Sequence, residues 1–415
     1  PMTIPEIVAS IFKNHGYTDY DMTEIANDHA PLNYCVQHQE TTLNFIHKLL
    51  IQAGISYYFK HTQDKHMLMF NDTGYFQNNQ AKEVIIEENE QHHDHITKWC
   101  HMNSLAPSKI SLGNFDFNHP SSSDVNSQII TTTSKNNAFE QYYETTQPID
   151  TATSYLSEDA KSRAATAELE ANQINASSNY RPLYAGTLLK LTNHQRDSEN
   201  SQYIICAIQH NAYNHAHLPT QDNDQKDNFF YENNFQAYSA GQSFSSQASD
   251  HKTLSYGSQL AVVACPPNQE IHTDEWGRIK VHFISETEEN KNNSYWLRTK
   301  QWWASNRFGA QVIPRANQEL FVDFEEGNIE RPIIIGTLSN ANNKLPFNPE
   351  ESPTISGFKT HTVGSKETNF ANILSFEDES GKEAINIQAQ KDLKKKVGND
   401  ETFIIHGKTE ITIDA

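Results

Sequence analysis

A run of short strands and turns between Asp274 and Gly336 constrains the fold of this chain more than any other segment. In 274–283 (DEWGRIKVHF), a turn is followed by apolar residues that alternate with Lys280 and His282, which is the period of a half-buried strand. Further strand and turn segments follow at 295–309, 313–327 and 331–336. Strands that recur about every 8 to 12 residues predict a small closed all-β unit, here a five-stranded barrel of the OB type.

The barrel segment also carries a signature of aromatic, glycine, proline and charged residues. These are Trp276, Gly277, Arg278, Trp296, Arg298, Gly309, Pro314, Arg315, Asn317, Gln318, Glu319, Gly327, Pro332 and Gly336. Three further blocks accompany this signature: YCVQHQETTLNFIHKLLIQAGISYYF (34–59), AGTLLKLTNH (185–194) and FEDESGKEAINIQAQKDLKKKVGNDET (376–402). The signature and the three blocks resemble segments of the VgrG family and follow one another in the order of that family. VgrG proteins are the spike proteins of the type VI secretion machine and are related to the hub and spike proteins of contractile phage tails.

One turn of the barrel departs from the family pattern. The segment 314–319 reads PRANQE, and Asn317 stands where the resembled family usually has Gly. Asn is the residue that best replaces Gly at positive φ. We therefore predict a left-handed backbone at Asn317.

The resemblance and the chain length imply a multidomain fold that is mainly β with a few helices. A chain of 415 residues is too long for one hydrophobic core. The resemblance implies β-barrel-like hub domains, an OB-fold barrel and the start of a trimeric β-helix, with further β-structure upstream of residue 1. The predicted domains are 1–104 (part of the hub, helices plus strands), 105–218 (second hub domain), 219–254 (extended crossing segment), 255–345 (OB-fold barrel), 346–396 (strand-rich connector) and 397–415 (start of a triple-stranded β-helix).

Three helices are predicted within the hub. Thr3 and Glu6 form a capping box at the start of the first helix, and apolar residues at helical spacing follow them. A second helix is predicted from Thr42 to about Ala53, and an Ala-rich helix over 157–174. The polar composition of 219–251 indicates an extended segment, which its aromatic residues would hold against a surface.

The C-terminal end repeats every eight residues. Val397, Ile405 and Ile413 occupy equivalent positions, with turn candidates at Gly398 and Gly407. A coil of eight residues cannot bury its apolar side chain against itself and needs neighbours. The resemblance implies a β-helix of three intertwined chains, with Val397, Ile405 and Ile413 in its core.

Composition narrows the classes of partner. The chain has 52 acidic and 32 basic residues and a net charge of −20, which argues against nucleic acid as its main partner. Lys391 and Lys394–Lys396 indicate either a strand edge protected by lysine or, less simply, a basic binding patch. The four cysteines show no CxxC pairing and are predicted to be reduced, buried thiols. No apolar run reaches the length of a membrane span.

The sequence lacks the common catalytic and nucleotide-binding motifs, so no catalytic residue, metal ligand or cofactor is predicted. The segment 92–95 (HHDH) offers possible metal ligands. On a strand only His93 and His95 would share a face, and a solvated strand end is the simpler interpretation.

Two other clusters permit a chemical interpretation. Asp323, Glu325 and Glu326 suggest a glycosidase carboxylate pair or, more simply, an acidic loop at the barrel rim. Trp296, Trp302 and Trp303 suggest a sugar-binding platform or residues of the barrel core and of trimer contacts. These features keep a hydrolase or carbohydrate-binding effector on the same scaffold as an alternative function.

The resemblance implies a structural and mechanical role. The expected assembly is a homotrimer that meets an Hcp-like hexameric tube at its hub end and a PAAR-like tip protein or effector at its C-terminal end. Contact with the target membrane would be transient, and the particle would assemble in the cytoplasm before secretion. A contractile phage tail hub is an alternative with the same physical design.

Overall fold

The computed structural model describes residues 2–32, 34–72, 81–86, 94–113, 117, 128–131, 140–144, 153–214, 229–240, 254–286, 294–365, 367 and 369–413. The chain divides into two compact units. The first consists of Pro1–Gly257 and Phe324–Pro332, and the second of Ser258–Asp323 and Ile333–Ala415. Among the described residues, no helix is both long and apolar enough to cross a membrane.

The first unit combines helices with three sheets. In chain order its elements are α1 (Ile4–Asn14), β1 (Tyr20–Glu24), α2 (Thr42–Gln52), β2 (Ser56–His61), β3 (His66–Asn71), β4 (Lys82–Ile86), β5 (His95–Asn103), β6 (Lys109–Gly113), β7 (Gln128–Thr131), β8 (Glu140–Glu144), α3 (Thr153–Ala171), β9 (Asn172–Ser178), β10 (Leu188–Thr192), β11 (Gln202–Asn214) and β12 (Phe229–Ser239).

Its N-terminal part packs α1 and α2 against a small sheet of order β1-β3-β2. The capping box predicted for α1 is confirmed, because Thr3 Oγ1 accepts from the Glu6 backbone N–H and the Glu6 carboxylate accepts from the Thr3 N–H. Val8 of α1, Leu49 of α2 and Phe70 of β3 lie in one core. The helices therefore cover one face of this sheet.

The remainder of the first unit is built around a closed barrel of order β10-β11-β12-β9-β5-β4, whose core is aliphatic and aromatic. A separate sheet of order β7-β6-β8 accompanies it. The helix predicted over 157–174 exists, but it begins earlier and ends at Ala171, and residues 172–174 belong to β9.

The barrel corrects the predicted domain pattern at two places. Strands β4 and β5 precede residue 104 while β9 to β12 follow it, so the predicted boundary between two hub domains falls within one barrel. Phe229–Ser239 is strand β12, with Phe235 in the barrel core, so this part of the predicted crossing segment is a barrel strand. The flanking parts, 219–228 and 241–253, lie outside the described residues.

The second unit contains the predicted five-stranded barrel. Its strands are β13 (Gln259–Ala264), β14 (Ile279–Phe283), β15 (Tyr295–Thr299), β16 (Glu319–Phe324) and β17 (Pro332–Leu338), and they close in the order β13-β14-β15-β17-β16. The alternation predicted for β14 is confirmed, since Ile279, Val281 and Phe283 are buried and the residues between them are not.

A three-stranded meander follows the barrel. Its strands are β18 (Ile355–Lys359), β19 (Ile373–Glu377) and β20 (Ala384–Gln388), in sequential antiparallel order. Residues 389–413 form no strand within the single chain. The Lys391 and Lys394–Lys396 cluster is exposed and does not lie on a strand edge within the chain, contrary to the prediction.

The cysteine prediction is correct for the redox state and wrong in part for burial. All four thiols are free. Cys35, Cys206 and Cys265 are partly buried, whereas Cys100 is exposed. Desolvation raises the pKa of Cys35 to about 12, which makes its thiol unreactive.

Candidate functional site: barrel rim and C-terminal tail

The turn that leads into β14 is held by the carboxylate of Asp274. Its Oδ1 accepts from the backbone N–H groups of Trp276 (3.0 Å) and Arg278 (2.8 Å), and its Oδ2 accepts from Arg278 Nε (2.5 Å). Burial favours a higher pKa for Asp274, but the hydrogen bonds and charge of Arg278 outweigh it and lower the pKa. Gly277 supplies the positive φ of 73° that the turn needs. The role of this signature element is thus structural.

The turn before β16 is also fixed by a side chain. Gln318 Oε1 accepts from the Arg315 N–H at 2.8 Å, and the Gln318 carbonyl accepts from Val263 of β13 at 3.0 Å. Asn317 has φ 64°, which confirms the predicted left-handed backbone. Pro314 is buried beside this turn. The segment therefore anchors β16 to β13 in a defined register.

Three further signature residues lie on barrel strands. Trp296 and Arg298 are on β15, and the Lys280 ammonium lies 5.3 Å from the centre of the Trp296 ring. Glu319 begins β16, and its Oε2 accepts from Asn340 Nδ2 at 2.7 Å. These contacts join neighbouring strands and the segment after β17.

The last members of the signature lie around β17. Gly327 belongs to the first unit and has φ 74°, and its carbonyl accepts from the Ser255 N–H at 2.7 Å. Pro332 opens β17, and Gly336 lies on the same strand, where an added Cβ would have no atom within 4 Å. The structure therefore distributes the signature over turns and strands and does not gather it into one catalytic cluster.

Between β15 and β16 the chain forms a loop, residues 301–312, which we call the aromatic loop. The Gln301 side chain closes it by bonding both the N–H and the C=O of Val312, at 2.9 and 3.1 Å. The Ala310 N–H donates to the Trp303 carbonyl at 2.9 Å. Gly309, with φ 137°, allows this close approach. The loop is thus held in one conformation by its own hydrogen bonds.

The aromatic loop presents its largest side chains to solvent. Trp302 is 73% exposed and Trp303 is 61% exposed, and Phe308 packs edge-on against Trp303 at 5.8 Å. The prediction that Trp302 and Trp303 belong to the barrel core is therefore wrong, and Trp296 is only half-buried. Rigid, exposed aromatic side chains are typical of binding surfaces.

The C-terminal tail, residues 389–413, is exposed from Gln390 onward in the single chain, and Ala389 is partly buried. Val397, Ile405 and Ile413 are 44, 54 and 86% exposed. Other large apolar side chains of the tail are exposed as well, namely Leu393, Phe403, Ile404 and Ile411. Exposure of such a series of apolar side chains to water is unfavourable.

The acidic residues at the barrel rim have structural partners. Asp323 Oδ1 accepts from Ser258 Oγ at 3.2 Å, and Glu325 pairs with Arg331 at 2.8 Å. Glu326 is exposed and has φ 53° within a tight turn. These contacts fit an acidic loop and give no support to a glycosidase carboxylate pair.

Of the HHDH segment, Asp94 and His95 are among the described residues. His92 and His93 lie outside the described residues, and His95 is buried on β5, where Asn179 bonds both its ring and its backbone N–H. The interpretation of His95 as a solvated strand end is therefore wrong. Within the described part of the chain, no group of three or more His, Cys, Asp and Glu side chains could hold a metal ion.

Sequence reasoning missed a buried polar network in the first barrel. Glu199 is only 5% exposed and accepts from Trp99 Nε1 (3.1 Å), while His101 Nδ1 lies 3.1 Å from its Oε1 and Tyr203 OH lies 3.3 Å from its Oε2. Burial favours a higher pKa for Glu199, but hydrogen bonds from His101 and Trp99 outweigh it and lower the pKa. The network links β5 to the start of β11. Its partners lie about a hundred positions apart, so the sequence gives no local signal of it.

Comparisons with known proteins agree with this architecture along the chain. The family model of the phage tail baseplate hub (GPD) matches residues 1–216. The model of the type VI secretion system/phage-baseplate injector OB domain matches residues 267–338. The model of the bacteriophage T4 gp5 C-terminal trimerisation domain matches residues 356–415.

Among curated relatives, the type VI secretion system spike protein VgrG1b of Pseudomonas aeruginosa is 30% identical over 99% of this chain and 56% of its own length. VgrG1a of the same organism is 29% identical over 97% of this chain and 63% of its own length. The chain thus spans less than two thirds of either relative.

A solved structure of an E. coli component of the type VI secretion system, which is similar to the T4 tail proteins gp27 and gp5, superimposes with a TM-score of 0.52. The sequence identity is 16%, and the match covers 81% of this chain and 72% of that one, so this likeness concerns the fold alone. Because the hub model matches more than half of the sequence, the chain belongs to the phage tail baseplate hub (GPD) family, and the curated relatives that align with almost all of it are type VI secretion system spike proteins.

Proposed function

We propose that this chain is the hub and spike of a type VI secretion machine. Three copies would assemble into a particle that caps the secretion tube and punctures the envelope of the target cell. The observation that carries the proposal is the order of the family matches, in which a hub, an OB domain and a trimerisation domain follow one another along the chain. A tube-binding hub followed by a spike is the order that such a device needs.

The exposed tail supplies a physical reason for three copies. Val397, Ile405 and Ile413 recur at intervals of eight and are exposed in the single chain. Burial of one such side chain in a shared core stabilises the assembly by roughly 1.5 to 3 kcal/mol. In a symmetric particle this contribution enters once for every chain. A triple-stranded β-helix of the tail would therefore gain most of its stability only on assembly.

The proposed partners follow from the two ends of the molecule. The hub would meet an Hcp-like hexameric tube, and the C-terminal end would carry a PAAR-like tip protein or an effector. The particle would form in the cytoplasm and leave through the machine into the medium or the target cell, touching the target membrane only in passage. A net charge of −20 disfavours nucleic acid as a partner, and the proposal includes neither a cofactor nor an enzymatic step.

A secretion assay tests the proposal. In a strain that lacks every other spike gene, deletion of the gene encoding this chain should abolish release of the tube protein into the medium. Wild-type protein should restore release. Ile405→Asp should restore it poorly, whereas the matched variant Lys408→Asp, at an outward-facing position of the same repeat, should restore it fully. Normal release from the deletion strain would contradict the proposed function.

A further inference from the structure

The hairpin of β2 and β3 in the first unit brings two histidines side by side. His61 is the last residue of β2 and His66 is the first of β3, and the strand register pairs them directly. The Thr62 N–H donates to the Lys65 carbonyl at 2.7 Å. The adjacent pair of histidines is therefore a pair without mutual backbone hydrogen bonds, the closer kind, with Cα atoms about 4.5 Å apart. Both imidazoles leave the same face of the sheet.

The turn that joins the two strands is closed by a side chain as well as by the backbone. Thr62 Oγ1 accepts from the Lys65 N–H at 3.1 Å and donates to the Lys65 carbonyl at 3.0 Å. These contacts add to the backbone bond of Thr62 and fix residues 62–65. Because the turn holds the two histidine Cα atoms at one separation, little conformational entropy is lost when both side chains bind one ligand.

The ring nitrogens of both histidines are available. Among the described residues, no hydrogen bond or ion pair reaches either ring. The two ring centres lie 6.3 Å apart, and the Phe59 ring lies 6.3 Å from His61 and 6.4 Å from His66. By contrast, the ring of nearby His47 is bonded to the Tyr57 hydroxyl at 2.9 Å. Both histidines of the hairpin are exposed, so their rings can turn toward a common ligand.

We propose that His61 and His66 chelate a divalent transition-metal ion, with water in its remaining coordination positions. Neutral imidazole is a preferred ligand of Zn²⁺, Cu²⁺ and Ni²⁺. Two imidazoles that share Zn²⁺ at Zn–N distances of about 2.0 to 2.1 Å have ring centres roughly 5 to 6 Å apart. Small rotations about the side-chain torsions bring the two rings from their present separation into this range.

The charges around the two histidines permit a bound cation. Lys60 and Met67, the next pair along the hairpin, point to the opposite face of the sheet, so the Lys60 ammonium lies away from the imidazoles. In the turn, the charges of Asp64 and Lys65 balance each other. The net charge of −20 on the whole chain raises the concentration of cations near its surface.

The bound ion would fasten an edge strand. The sheet has the order β1-β3-β2, so β2 has a neighbour on one side only. A ligand that binds the folded hairpin and not the separated strands stabilises the hairpin by mass action. The metal would thus act as a clip between β2 and β3, a structural role that does not depend on assembly or secretion.

Footprinting of histidines in the purified full-length protein tests the site. Diethyl pyrocarbonate modifies accessible imidazoles that are not bound to metal, and mass spectrometry gives the rate at each residue. After dialysis against a chelator, addition of about 100 µM Zn²⁺ should slow the reaction of His61 and His66 at least about fivefold, and the same concentration of Mg²⁺ should not. His15, an exposed histidine at the end of α1, is the internal control and should react equally with and without zinc.

A matched pair of variants supplies the second arm. His66→Gln removes one ligand at an exposed position, whereas His15→Gln removes an exposed imidazole elsewhere. In His66→Gln, zinc should slow the reaction of His61 less than about twofold, because a single imidazole is a weak ligand. Zinc should also slow hydrogen exchange of the β2 amides in the wild-type protein and in His15→Gln, but not in His66→Gln.

Several results would overturn the proposal. One is a reaction rate of His61 and His66 that zinc does not change. Another is slow reaction of both residues in the metal-free protein, which would show that another chain covers the hairpin. Equal protection by Mg²⁺ would indicate screening by any cation in place of coordination. Protection of His61 that survives in His66→Gln would show that the two imidazoles do not share one ion.

Discussion

The geometry of the aromatic loop depends on Gly309. Its φ is 137°, a conformation that residues with a side chain rarely adopt. A Cβ atom added there would lie 2.3 Å from the carbonyl oxygen of Trp303, and real Cβ atoms are essentially never found within 3.0 Å of such an atom. That oxygen also accepts from the Ala310 N–H at 2.9 Å, so it cannot retreat without losing the bond.

The substitution Gly309→Ala therefore carries two costs. Holding an alanine at this φ costs about 1 to 3 kcal/mol, and relieving the clash with a backbone atom costs about 1 to 3 kcal/mol more. The two costs add to about 2 to 6 kcal/mol. Opening of the loop relieves both, so the protein loses no more stability than the free energy needed to open the loop alone. We therefore expect the loop to open while the five barrel strands stay folded.

Hydrogen exchange of the purified full-length protein measures this effect. Amides of residues 301–312 should lose protection in Gly309→Ala, and those of β14 should keep it. Gly336→Ala is the matched control, because nothing lies within 4 Å of the added Cβ and the φ of Gly336 is outside the left-handed region. It should change stability by less than about 0.5 kcal/mol. Equal exchange of the loop in the two variants would refute the close approach of Gly309 to Trp303.

Three other perturbations have defined outcomes. Asn317→Gly should leave the urea midpoint nearly unchanged, whereas Asn317→Val should cost at least ~1 kcal/mol, because a β-branched residue resists φ 64°. Ile405→Asp should increase protease cleavage near residue 400, because three carboxylates would meet in one apolar core, and Lys408→Asp should not; equal resistance would contradict the octad core. The folded state lowers the pKa of Glu199, so its contribution to stability is present above the pKa of an unfolded Glu and is lost as the pH falls through the lowered value. On acidification, the urea midpoint of Glu199→Gln should fall less than that of the wild-type protein. Identical pH profiles of the two proteins would contradict this role.

The sequence predicts β14 and α1 correctly, because the pattern that identifies each of them lies within a few neighbouring residues. In β14, burial alternates because one face points into the barrel, and the sequence alternates with it. In α1, the capping box of Thr3 and Glu6 satisfies the first backbone N–H groups with neighbouring side chains. Both signals lie within a few residues. The sequence alone was therefore sufficient to place these elements.

Strand β12 was hidden because its inward positions are not all apolar. Asn233 is fully buried between Tyr231 and Phe235, and its Nδ2 donates to the Tyr180 carbonyl at 2.8 Å. A buried polar residue with a backbone partner interrupts the apolar alternation on which strand prediction depends. The segment was consequently predicted to be an extended crossing.

The aromatic loop shows that burial of an apolar side chain cannot be predicted from its residue type alone. Trp302 and Trp303 were predicted in part as barrel core, because large apolar residues are usually buried. In the single chain they are exposed. An exposed tryptophan and a tryptophan of the domain core have the same sequence signature, since both are apolar. Only the structure distinguishes the two.

The mass of the purified, assembled particle tests the central claim most directly. The chain has a mass of 47.3 kDa, and three chains give about 142 kDa. Light scattering coupled to size-exclusion chromatography should give this value at micromolar concentration and should give it unchanged after tenfold dilution. A particle of 47.3 kDa under the same conditions would show that the exposed tail does not bring chains together, and would contradict the account of this protein as a trimeric spike.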